Sequence, residues 1–210
     1  MNITAGLLQI TLGADGRITG MNRQHGARPS DLVTVKLFDR DERLRATGLR
    51  QLAGNTVRLS YDTGASVDVE IVSQARYARL KIVAASENVA AAFWGAFVTE
   101  MQGPPGEVIG LLRDDGYSMG LLSLEPNTDG TSDSVSRYAF YMARYLEDGT
   151  GSYLEAETRN RSRDGVGVFS IAVHGEPGRT VVGSAVAVFG CATAEELDVI
   201  EAIELAEGLP

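Results

Sequence analysis

Catalytic side chains are scarce in this chain of 210 residues. Cysteine occurs once, as Cys191, which excludes an internal disulfide. It closes the apolar run Val181–Phe189, and a cysteine so placed reads as a small buried hydrophobe rather than a nucleophile. Histidine occurs twice, as His25 in a polar loop and His174 at the end of an alternating run. No HExxH, CxxC, GxSxG or phosphate-binding glycine motif is present, which removes support for zinc hydrolase, serine hydrolase and P-loop chemistry. Basic charge is also short: the net charge of −9 argues against a duplex nucleic-acid partner, which needs a basic face. No segment reaches the roughly 18 consecutive apolar residues of a membrane helix, so no membrane partner is expected. The opening MNITAGLLQITL has neither the basic n-region nor the small-residue cleavage site of a signal peptide.

What the chain has in quantity is period-two alternation. Leu8, Ile10 and Leu12 alternate with polar residues, and Asp15-Gly16 turns the chain into Arg17–Met21. Val33, Val35 and Leu37 predict another strand, as do Val57, Leu59 and Tyr61. After the turn Asp62-Thr63-Gly64, Val67, Val69 and Ile71 predict a strand, with Asp68 and Glu70 on its other face. Tyr77–Ala84, Leu154–Thr158, Val166–Val173 and Val181–Phe189 extend the series, and Tyr138, Phe140 and Met142 alternate in the same way. Val108–Leu112 and Met119–Leu124 flank Asp114-Asp115-Gly116 and predict a tight hairpin. Asp41–Leu52 fits a short helix as well as a strand. Glu125–Ser136 is polar enough to predict a surface loop, and Glu147–Ser152 a turn.

The last segment changes period. Thr193 followed by Glu196 predicts a capping box, Leu197, Ile200 and Ile203 recur at helical spacing, and Gly208 stops the helix. The pattern therefore predicts a mainly β protein: a large antiparallel two-sheet sandwich with a C-terminal helix. Residues 1–190 would form the sandwich, and 191–210 the helix and linker, either packed on the same domain or leading to a missing one. A seven-stranded sandwich needs about 100 residues, so this one is larger. The long apolar runs near the C-terminus predict inner strands packed on both sides, or a sheet lying against the helix.

Carboxylates are plentiful, but the sequence alone pairs none of them across a scissile bond. Glu155 and Glu157 share one strand face and read as its solvated side. Asp129 and Asp133 lack the calcium-loop spacing. No metal, no cofactor and no catalytic residue is therefore expected. Aromatics beside polar loops remain, a common means of holding a sugar ring, and the candidates are Trp94, Phe97, Tyr117 and Tyr138. The alternation around Ala90–Trp94 puts Phe93 and Trp94 on opposite faces, and small residues beside Trp94 suit a core wedge or a sugar platform; the core reading is preferred.

Several short segments carry a resemblance. They are Asn2-Ile3-Thr4-Ala5-Gly6-Leu7-Leu8-Gln9-Ile10, Trp94-Gly95, Gly106-Glu107-Val108-Ile109-Gly110 with Arg113-Asp114, and Phe189-Gly190-Cys191 followed by Glu204–Pro210. Together they resemble the N-terminal galactose-mutarotase-like β-supersandwich domain of bacterial glycoside hydrolases. That resemblance implies a non-catalytic accessory domain that supports or binds glycan beside a glycosidase domain lying beyond Pro210, in a secreted or periplasmic protein. Ala96 stands where that family has proline. Two alternatives remain: a mutarotase-like epimerase, pairing His174 with Glu155 or Glu157 as acid and base, and a structural or adhesion module.

Overall fold

The computed structural model describes residues 1–23, 30–106, 109–132, 140–163 and 178–209; at 129–132 and 140–141 it describes the backbone alone. The strands are β1 (Asn2–Ala5), β2 (Leu8–Leu12), β3 (Arg17–Met21), β4 (Ser30–Asp31), β5 (Val33–Leu37) and β6 (Arg43–Leu44). They continue as β7 (Gly48–Gln51), β8 (Thr56–Ser60), β9 (Ser66–Ser73), β10 (Ala78–Ala85), β11 (Val89–Thr99) and β12 (Gly110–Asp114). The last six are β13 (Tyr117–Ser123), β14 (Thr128–Ser132), β15 (Phe140–Tyr141), β16 (Ala143–Tyr145), β17 (Ser152–Arg159) and β18 (Ala185–Ala192). One 3-10 turn, Thr193–Glu195, leads into the helix α1 (Glu196–Glu207).

All pairings between these strands are antiparallel. Two large sheets face each other. One runs β12-β13-β18-β10-β9-β8-β7, and the other β15-β14-β17-β11-β5-β6 with β16 also on β17. A smaller sheet, β1-β2-β3-β4, joins them, so the sandwich has three sheets rather than two. Its inward residues Ile3, Ala5, Leu8, Ile10 and Leu12 merge with the main core, which also holds Leu80, Ile82, Trp94, Phe97 and Leu154.

β18 explains the longest apolar run. Val186 and Val188 point into the inter-sheet core, while Ala187, Phe189 and Cys191 point the other way, onto Val199, Ile200 and Ile203 of α1. With both faces covered, no position in the strand can be polar without a buried partner. The helix therefore packs on the sandwich. Phe189 lies over Gly120 of the neighbouring β13, where any Cβ would meet its ring at 2.1 Å.

Three local expectations change and one open reading is settled. Asp41–Leu52 forms no helix; it supplies β6 and β7, because Leu49 pairs with Leu59 at the sheet edge and tertiary pairing outweighs helix propensity. Within Glu125–Ser136, β14 adds a strand to β17, so that stretch is only partly loop. Val181–Gly183 precedes the strand rather than starting it, with Gly183 at φ +95°. Thr193 makes no cap: Glu196 reaches instead to Ser118 and Arg113, tying α1 to the β12–β13 hairpin. In that hairpin only Gly116 takes a positive φ, at +72°. The run Val166–Val173 lies outside the described residues.

Candidate functional site

Three of the four aromatic candidates take core positions. Trp94 is fully buried, and its Nε1 donates to the Thr158 hydroxyl at 3.1 Å; that hydroxyl also lies 2.6 Å from the Thr128 hydroxyl. Phe97 is fully buried on the same face as Trp94. In a regular strand residues three apart face opposite ways. A bulge removes the conflict: Gly95 pairs with Glu155 and Phe97 with Leu154, leaving Ala96 as the extra residue. Gly95 and Ala96 take φ +89° and +27° to make it. Tyr117 is 7% exposed and joins the same core, its hydroxyl accepting from Asn22 Nδ2 at 3.2 Å. Burial raises the Tyr117 pKa. Tyr138 lies outside the described residues.

Of the candidate acid–base groups, the two glutamates are engaged elsewhere. Glu155 and Glu157 share the outer face of β17 as expected, yet neither is solvated. Glu155 is 6% exposed and pairs with Arg43 at 2.6 Å, and Glu157 pairs with Arg159 at 2.8 Å. The Arg43 guanidinium lies 3.6 Å above the Phe93 ring, so Phe93 is roofed by the ion pair. His174 and His25 lie outside the described residues. Cys191 is buried, and burial together with Glu196 and Glu195 pushes its thiol up to about 11. Among the described residues, no three His, Cys, Asp or Glu side chains converge as a metal site.

A better-equipped place is a cleft of about 340 Å³ at one end of the sandwich. Three chain segments build it: the β10–β11 turn with Ala85, Ser86 and Glu87, the stretch after β17 with Asn160, Ser162 and Arg163, and Thr180, Val181 and Val182 before β18. Backbone and amide bonds lock them together. Asn160 Nδ2 donates to the Val89 carbonyl at 2.7 Å, and Arg161 N donates to the Arg179 carbonyl at 2.6 Å. Phe38 N donates to the Asn88 carbonyl at 3.1 Å, which brings the Phe38 ring beside the turn. Over that ring, at 3.8 Å, lies the Arg163 guanidinium.

The hydrogen-bond accounting of the cleft leaves capacity for a ligand. The Ser86 hydroxyl accepts from Ser66 N and keeps its proton to donate. The Ser162 hydroxyl donates to Asn160 Oδ1 and keeps its lone pairs. The Thr180 hydroxyl accepts from Val182 N and keeps its proton. Among the described residues, no hydrogen bond engages the N–H groups of Arg163 or the carboxylate of Glu87. Val182, 44% exposed, adds an apolar wall. Sequence reading missed this site because nothing in the chain signals that Phe38, Glu87, Arg163 and Thr180 meet.

No protein-family model matches the chain, and a search of curated proteins finds no match either.

Proposed function

We propose that this chain is a non-catalytic β-sandwich module that holds a small saccharide in the cleft between the β10–β11 turn and the segments flanking β17 and β18. It would serve as the accessory domain of a carbohydrate-active enzyme, as the resemblance to glycoside hydrolase supersandwich domains implies. One observation carries the reading. Among the described residues, the cleft offers unspent donors (Ser86, Thr180, Arg163), unspent acceptors (Glu87, Ser162) and an apolar wall (Val182) within a volume at the small end of ligand sites, which run from about 300 Å³. A sugar presents the complementary surface: hydroxyls that both give and accept, around a C–H face. Among the described residues no acid–base pair stands at the cleft, and binding is the function proposed for it.

Isothermal titration with a panel of oligosaccharides tests this. At least one should bind, Glu87→Gln and Arg163→Ala should each weaken it by about tenfold, the equivalent of one lost charge-assisted hydrogen bond, and no sugar should be hydrolysed or epimerised. Absence of binding across the panel, or binding that both substitutions leave untouched, would overturn the assignment.

A further inference from the structure

We propose that the cleft selects a saccharide bearing a carboxylate, a uronic acid unit, with Arg163 as the group that receives it; this rests on the glycan reading above. The geometry begins with the stack. At 3.8 Å from the Phe38 centroid, the exposed Arg163 guanidinium lies over the ring, a contact that restrains it and leaves its N–H groups open to a ligand. None of those N–H groups is spent on a described residue. A planar fork restrained by a stack matches the two oxygens of a carboxylate through parallel bonds, and such charge-assisted bonds are roughly twice as strong as neutral ones.

The remaining groups orient the sugar. Glu87 accepts only, so it takes ring hydroxyls and repels a carboxylate. Ser86 and Thr180 donate to hydroxyl oxygens, and Val182 covers a C–H face. The carboxylate therefore belongs at Arg163 and the hydroxyl-rich edge at Glu87. In a chain of net charge −9, long-range attraction does not draw an anion in. Selection must come from this one short-range contact, and added salt should weaken it.

Titrating the full chain with a uronic acid disaccharide, the neutral disaccharide of the same linkage, sodium acetate and sodium sulfate is the test. The uronate should bind about tenfold tighter than the neutral sugar. That preference should disappear in Arg163→Gln, shrink in Arg163→Lys and in Phe38→Ala, and narrow with salt. Phe38→Ala keeps the charge and removes only the stack, and the emission of the single tryptophan reports whether each variant is folded. Equal affinity for both disaccharides overturns the proposal while leaving the glycan reading intact; binding of neither overturns both. Acetate or sulfate binding as tightly as the uronate also overturns it, since the cleft would then be a simple anion site. A uronate preference that survives Phe38→Ala removes the stack as its cause and overturns the geometry argued here.

Discussion

Trp94 is the chain's one tryptophan, and its indole is enclosed by the inter-sheet core with Nε1 bonded to Thr158. Its fluorescence should be blue-shifted, resistant to acrylamide and unmoved by sugars. Trp94→Ala should cost about 3–5 kcal/mol in chemical denaturation, the usual range for emptying an aromatic site. Strong quenching in the native protein would contradict the packing. Cys191 offers a second residue-scale test. Burial under α1, together with the charges of Glu196 and Glu195, pushes its thiol up to about 11 from an ordinary value near 9. Only the thiolate attacks, so native labelling by a thiol reagent at pH 8 should be far slower than labelling in denaturant. The folded state holds this proton more tightly than the unfolded one. Its stability is thus untouched below about pH 9 and falls as pH rises from 9 towards 11. Equal native and denatured labelling rates would show the thiol to be open. Burial of both was the preferred reading in sequence, since small residues surround Trp94 and Cys191 closes an apolar strand, although Trp94 also stood as a sugar-platform candidate.

At the scale of elements, period and turn chemistry were readable and pairing partners were not. The β2–β3 and β12–β13 hairpins followed from Asp-Gly turns between alternating runs, and α1 from its change of period. The bulge at Gly95-Ala96 was hidden, because the alternation on either side looks regular until Phe97 is found on Trp94's face. β6, β7 and β14 were hidden for another reason: they are short segments at a sheet edge or next to it, whose ordering depends on a neighbouring strand. The pair Thr193 and Glu196 was legible as a capping box, yet the glutamate is drawn away. It is 8% exposed and accepts from Arg113 Nε and from the Ser118 hydroxyl. Glu196→Ala should therefore loosen the helix from the hairpin. A cost of about 2 kcal/mol is expected, as for hydrogen bonds to a charged group, together with faster amide exchange across Val199–Ile203. Exchange unchanged in α1 would assign the docking to its apolar face alone.

For the whole molecule, the class was legible and the site was not. A mainly β sandwich with one terminal helix follows from counting alternating runs; that a third, small sheet joins the two large ones does not, because pairing partners leave no local pattern. The aromatics singled out as sugar platforms, Trp94, Phe97 and Tyr117, fill the core instead, because large rings are also what a two-sheet interior needs. The cleft draws on segments far apart in sequence, and its central device, Arg163 on Phe38, leaves no trace in either local pattern. The most direct measurement is a backbone amide titration by NMR with the tightest-binding saccharide from the panel. The account predicts shifts concentrated at Ser86, Glu87, Asn160, Ser162, Arg163 and Thr180–Val182, with α1 and the β12–β13 hairpin silent. Shifts confined to other surfaces, or no shift at saturating sugar, would contradict it.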